Sequence, residues 1–193
     1  MKRSILTILV LLPFLAMSQK KQKDTAKVHM PIVNGVITYE KIIDSLNKPK
    51  NELFEASLKW LANTFEDSKE VIRVKNSETG EIVGSGNFLY KAPGLLGGNE
   101  RMAFMIEIKT KDGKSRIRLY QLRYSILGSS GYKTSGSGDS EYFPFDKKYL
   151  EYLSEKQYPT FNKKLFLIID QKINDIITSY ELGVKSLTKR DDF

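Results

Sequence analysis

A chain of 193 residues, 40% hydrophobic and 28% charged, has the make-up of one folded domain rather than a disordered or membrane-embedded chain. It has no cysteine and a single histidine, His29, which excludes disulfides, thiolate metal sites, cysteine nucleophiles, a Ser-His-Asp triad built in the core and multi-histidine metal centres. The formal charge of +8 permits contact with anionic polymers or membrane surfaces, but no block of five like charges concentrates it, so a solvated basic surface accounts for it.

The N-terminus reads as an address rather than as structure. Met1-Lys2-Arg3 is a basic start, and Ile5 to Leu15 is an almost unbroken apolar run. That run is too short to span a bilayer, which takes about 20 residues. Ala16-Met17-Ser18 then places small residues where a signal peptidase reads. Residues 1–18 are expected to be a cleaved signal peptide, leaving a periplasmic or secreted chain with no transmembrane segment. Without a cysteine at the cleavage site the mature protein is not a lipoprotein. Residues 19–31, QKKQKDTAKVHMP, are polar and aperiodic and predict a flexible basic linker.

Val36 to Ile43 is β-branched and aromatic and predicts a first strand, with Asp44 to Lys48 turning the chain. A helix is expected to begin near Pro49, whose fixed φ suits a first turn. Phe54, Leu58, Leu61 and Phe65 make its buried stripe, widened by Leu53 and Trp60, while Glu52, Glu55, Lys59 and Asn63 face water. Trp60 could be a ligand platform, but beside such a stripe it reads as a packing residue. Val71 to Lys75 and Ile82 to Tyr90 predict a hairpin through Ser77-Glu78-Thr79-Gly80, in which the glycine can take φ > 0. Gly84 and Gly86 weaken the second strand unless it bends or something approaches closely. A phosphate-cradling reading of Gly84-Ser85-Gly86 fails, because no helix follows at P-loop spacing.

Ala92 to Glu100 reads as a longer loop. Arg101 to Lys111 and Lys114 to Leu127 are then joined by Asp112-Gly113, a strong two-residue type I′ signal. Counting outward from Lys111 opposite Lys114, one face carries Ile108 with Ile117, Ile106 with Leu119 and Phe104 with Gln121. The other carries Lys109 with Arg116, Glu107 with Arg118, Met105 with Tyr120 and Arg101 with Tyr124. The first face is assigned to the core and the second to solvent. Residues 128–148 open with the Gly/Ser-rich GSSGYKTSGSGD and predict a mobile loop. A C-terminal helical segment follows over 149–185. It holds a short helix with Tyr149 and Tyr152, then a long one striped by Leu165, Ile169, Ile173, Ile176 and Tyr180 and stopped near Gly183. Residues 186–193 form a frayed tail.

Chemistry is sparse. Ser-x-x-Lys spacings at Ser45 and Ser130 are chance matches in a lysine-rich chain, without the companion motifs of that enzyme class. Asp170 to Glu181 has the length of a calcium loop, but Lys172 stands at a ligand position and Asp175 replaces the turn glycine. No metal, cofactor or catalytic set is expected. The one candidate surface is the solvent face of the second hairpin, with Arg101, Lys109, Arg116, Arg118, Tyr120 and Tyr124. Basic residues interleaved with aromatics can hold an anionic polymer, whereas a polar face of cross-strand pairs such as Glu107 with Arg118 needs no ligand. Export argues against a nucleic-acid partner.

The segments ELFEASLKWLANTF, VIRV, GEIVGSGNF and KDGKSRIRLYQL, together with the order strand, helix, four strands, long helix, resemble an exported bacterial domain-of-unknown-function family with a TBP-like (TATA-box-binding-protein-like) fold. The resemblance covers roughly Ile32 to Leu127. It implies an α+β domain of β-α-β4-α order, with an antiparallel sheet of about five strands, the helices packed on one face, a long C-terminal helix and a periplasmic setting. It implies no activity and no site residues, since function resides in sites rather than in folds. The expectation is therefore a non-enzymatic binding domain whose partner is an envelope protein, a peptide or an anionic polymer. The alternative is a small apolar ligand held between a curved sheet and the C-terminal helix.

Overall fold

The computed structural model describes residues 26–44, 46–65, 72–94, 97–126, 142–154 and 160–187. The expected signal peptide, the first part of the linker, the Gly/Ser-rich run 128–139 and the end of the tail lie outside the described residues, while residues 143–148, expected as the end of that loop, are a short strand and the start of a helix. Strands β1 (Ile32–Val33) and β2 (Val36–Ile43) precede helix α1 (Lys50–Thr64). Then come β3 (Ile72–Asn76), β4 (Glu81–Lys91), β5 (Asn99–Lys111), β6 (Lys114–Ile126), β7 (Phe143–Pro144) and helices α2 (Phe145–Ser154) and α3 (Thr160–Leu187). The strands form one antiparallel sheet in the order β1-β2-β6-β5-β4-β3, with β7 pairing β6 beyond the end of β2.

The α+β class and the helix-covered sheet are as the sequence predicts, and two strands of two residues enlarge the expected sheet. One of them, β1, follows from Asn34-Gly35, where φ of +52° and +80° makes a two-residue hairpin. A single core joins the helix-facing side chains of the sheet to all three helices. α3 contributes Leu165, Phe166, Ile169, Ile173, Ile177, Tyr180 and Val184, all buried and all at helical spacing. Burying each large apolar side chain is worth about 1.5–3 kcal/mol, so this stripe holds the helix on the sheet.

Two expectations are corrected, and the start of α1 has a partner that its own segment does not supply. Residues 27–31 are no free linker: Val28 and Met30 are buried, and their N–H groups donate to the hydroxyls of Tyr152 (2.9 Å) and Tyr149 (2.6 Å). Alternate residues of an extended segment are thereby strapped across α2. Gly183 does not stop α3, which runs on to Leu187; it lies against Trp60, whose Cδ1 would sit 2.9 Å from an added Cβ. Lastly, α1 starts behind Pro49 with no cap from its own neighbours, and Asp112 of the β5–β6 turn supplies one, accepting from the Lys50 N–H at 2.7 Å.

Gly86 meets the expectation of close approach, since a Cβ there would lie 2.8 Å from the Phe104 ring and 3.0 Å from Phe65. Gly80 has φ of +69°, and its carbonyl accepts from the Thr110 N–H at 2.8 Å, fixing the β3–β4 turn to the end of β5.

Candidate functional site

The three helices of the described residues use one face of the sheet, so the opposite, outer face is the surface that the sequence singled out. Its geometry follows the Asp112-Gly113 register as far as Met105 opposite Tyr120. There the register breaks. Gln121 takes φ of +52° and β6 carries one residue too many, so Ala103 lies opposite Arg123, Met102 opposite Tyr124 and Arg101 opposite Ser125. The expected pairs Phe104–Gln121 and Arg101–Tyr124 are therefore not formed. Beyond the bulge every side chain of β6 changes face. Leu122 enters the core, and Tyr124 turns to the helix side, against Phe143 and Phe145, with the Lys148 ammonium 4.4 Å from its ring centre. Burial, with Glu100 and Glu151 adding to it, raises the Tyr124 hydroxyl above the ordinary phenol range. Tyr124 thus leaves the predicted face.

The others stay on it. Arg116 and Arg118 stand side by side on β6, between Glu40 on β2 and Glu107 on β5. Arg116 reaches Glu107 at 2.5 Å and Glu40 at 3.9 Å; Arg118 reaches both carboxylates at 3.3 Å. The Nε atoms of Arg116 and Arg118 carry no hydrogen bond, so the contact of Arg118 Nε with Glu40 is charge attraction without a hydrogen bond. Two guanidiniums meet two carboxylates, and the ladder has no net charge. The groups are partly exposed, so each pair contributes roughly 0.2–1 kcal/mol to stability.

Tyr120 lies under the Arg118 guanidinium, 5.5 Å from ring centre to Cζ, with Thr38 and Met105 in register on either side. Lys109 pairs in register with Arg116 and with Glu81 of β4. Arg101 stands two rows beyond the bulge, between Leu89 and Ser125, apart from the ladder. The face also exposes Ile42 (53%), Val74 (46%) and Leu89 (54%). The sequence reading missed Glu40 and Ile42 as members of this face, because only the pairing of β2 with β6, which sets Glu40 opposite Arg118 far along the chain, brings them there.

Beneath α3, where an apolar ligand would sit, the space is taken by side chains. Phe166, Ile169, Ile173 and Tyr180 are fully buried, and Tyr180 shares hydrogen bonds with Ser57 and Ser115. Among the described residues no group of three or more histidines, aspartates or glutamates could hold a metal ion. None of their helices is long and apolar enough to cross a membrane.

An antiparallel sheet carrying an α1-type helix and a long C-terminal helix on one face, with no described helix on the other, defines an α+β domain of TBP-like fold. Residues 39–125 match the model of one such bacterial family, described as a domain of unknown function (DUF4468) with TBP-like fold, and the resemblance read from the sequence is to this family. The chain is similar to a DUF4468 family protein from Bacteroides ovatus, with 14% identity and a TM-score of 0.56 over 78% of this chain and 90% of that one. It is also similar to a TBP-like protein from Parabacteroides distasonis, with 14% identity and a TM-score of 0.54 over 78% and 96%. At these identities the likeness is one of fold. No curated protein matches the chain.

Proposed function

We propose that this chain is an exported, non-enzymatic interaction domain that binds a protein, a peptide or another envelope component through the outer face of its sheet. The observation that carries the reading is the ordered ladder Glu40–Arg116–Arg118–Glu107 on a face that none of the three helices covers. A surface of matched charges with exposed Ile42, Val74 and Leu89 beside them suits a partner that also presents both signs and apolar groups, as protein surfaces do. An anionic polymer finds the two central arginines already answered by carboxylates. The filled space beneath α3 supports this reading over a small apolar ligand.

A pull-down from an envelope fraction with the purified chain, repeated with Arg116→Glu/Arg118→Glu, tests it. Recovery of a defined partner that the double reversal abolishes supports the outer face as the docking surface. Unchanged recovery refutes it. Export is tested by the mature N-terminus: mass spectrometry is expected to find Gln19 first, and a chain beginning at Met1 in the cytoplasm overturns that part.

A further inference from the structure

The outer face is not electrically uniform along its strands. At the Asp112-Gly113 end it is balanced: Lys109, Arg116 and Arg118 stand among Glu40, Glu81 and Glu107, three cations to three carboxylates. Past the bulge the pattern changes. Arg101 lies opposite Ser125 and Ala103 opposite Arg123, so the two arginines are diagonal neighbours on β5 and β6. Diagonal positions are about 7–8 Å apart, within reach of side chains as long as arginine. Leu122 and Tyr124 take the helix side, which leaves Arg123 and Ser125 on the outer side with Arg101. Lys91, opposite Asn99, falls on the same side one row further along.

Among the described residues no carboxylate pairs with Arg101 or Arg123. The neighbouring outer positions on β4 and β5 are Asn87, Leu89, Ala103 and Asn99. Glu100, next to Arg101 in the chain, is drawn to the helix side, where the buried Tyr90 donates its hydroxyl to it. Arg123 lies instead against the Tyr142 ring, 5.7 Å from its centre. Arg101 Nε and Ser125 Oγ, which belong to one row, are both buried without a hydrogen-bond partner. Buried polar atoms of native proteins are nearly all paired, and leaving one unpaired is costly. Both can donate, so an acceptor seated over this row would satisfy them.

Two arginines with unused donors select an anion, and their planar forks suit a carboxylate or a phosphate. The rest of the face decides between a protein and an anionic polymer. A polyanion running along the strands from Arg101 meets Glu107 and Glu40 within a few rows and is repelled there. A protein segment can set one or two acidic side chains at this end, cover the exposed Leu89 and Tyr142, and present mixed charges to the ladder.

We infer that Arg101 and Arg123, with Ser125 beside Arg101, form a carboxylate-binding site that receives an acidic segment of a partner protein. The inference rests on the reading of the outer face as a protein-docking surface, and it fixes which end of that face carries net attraction.

The test is a nuclear magnetic resonance titration of the isotopically labelled chain with acetyl-Gly-Leu-Glu-Asp-Leu-Gly-amide, with its Gln-Asn counterpart and with inorganic phosphate. The acidic peptide is expected to bind about tenfold or more tightly than the amide one, because its hydrogen bonds to arginine are charge-assisted on both sides. The side-chain Nε–H resonances of Arg101 and Arg123 and the backbone amide of Ser125 should shift, while those of Arg116 and Arg118 shift least. Arg101→Gln/Arg123→Gln should weaken the acidic peptide about tenfold and leave the amide one unchanged. If the double variant does not fold, Arg123→Gln alone, at an exposed position, takes its place with an expected weakening of about threefold. Equal binding of the two peptides, a shift map centred on Arg116 and Arg118, or full binding by the arginine variants overturns the inference. So does phosphate that binds as tightly as the acidic peptide, which would make this a phosphate site. The two readings fail separately in the envelope pull-down. A partner lost on Arg116→Glu/Arg118→Glu but kept by Arg101→Gln/Arg123→Gln overturns this inference and leaves the docking face standing, whereas a partner kept by both variants overturns both.

Discussion

Gly183→Ala separates local helix preference from packing, because the two predict opposite signs. Gly183 lies inside α3, which continues for a further turn. In an exposed helix interior, alanine would stabilise by about 1 kcal/mol over glycine. Here the new methyl group would lie 2.9 Å from Cδ1 of Trp60 and 3.5 Å from Cγ. The indole has little room to withdraw. It packs edge-on against Tyr180 at 4.9 Å and Phe65 at 5.9 Å, and its Nε1–H donates to Ser179 at 3.2 Å. Overpacking at such a site costs about 1–3 kcal/mol. With the helix gain set against it, the net effect is a destabilisation of about 1 kcal/mol. Urea unfolding followed by far-ultraviolet circular dichroism should show a lower midpoint at unchanged slope. In a Trp60→Leu background, where the ring is gone, the same change should turn neutral or stabilising. Stabilisation by Gly183→Ala in the native background would refute the packing argument and return Gly183 to a residue of no structural consequence.

Other perturbations address the turn, the cap and the buried hydroxyls. Gly80→Ala forces a Cβ to 2.4 Å from Thr110 O at a φ of +69°, and should cost more than about 2 kcal/mol in urea unfolding. Asp112→Ala removes the acceptor for the Lys50 N–H and should cost about 1 kcal/mol, with a loss of hydrogen-exchange protection concentrated in the first turn of α1. Burial pushes the Tyr180 hydroxyl up to about 12, against hydrogen bonds shared with Ser115 and Ser57 that pull it down. A phenol raised in the fold keeps its proton where the unfolded chain has lost it, so its stability contribution is intact below pH 10 and declines above. Between pH 9 and 11 the loss from this residue is about 1.4 kcal/mol, and Tyr180→Phe should flatten that part of the pH profile. Tyr39, buried and bonded to Asp170, and Tyr90, buried and bonded to Glu100, are raised in the same direction and should steepen the fall.

What the sequence made legible was local. The α1 stripe, the Asp112-Gly113 register and the positive φ at Gly80 each depend on residues within a few positions of one another. Core and solvent faces of β5 and β6 came out correctly up to Tyr120 for that reason. The count failed one residue later, because Gln121 holds a left-handed φ that in sequence is marked by glycine or asparagine. Leu122 was the available clue: an apolar residue out of phase with Ile117 and Leu119 signals a bulge. Asn34-Gly35 was an equally plain hairpin signal, and Val28 and Met30 already showed the two-residue alternation of an extended segment with one side buried. The pairing of β2 with β6 has no local mark, and with it Glu40 was hidden from the face.

That pairing also decides what the basic composition means at the candidate site. Arg116 and Arg118 alternate along β6 with core residues Ile117 and Leu119, so both guanidiniums must leave the sheet on the same side. Left alone, two such cations about two residues apart would attract an anionic ligand. The order β2-β6-β5 instead sets a carboxylate on each flank, at contact distances of 2.5–3.9 Å. A phosphate or sulfate reaching the arginines would have to displace Glu107, the least exposed carboxylate of the ladder, and the exchange of one anion for another gains little. A protein partner need displace nothing. On the proposed reading it would lay its own charges over an existing alternation and cover Ile42 and Leu89 at the margins, with the same two arginines that looked like an anion site serving as a fixed pattern for it.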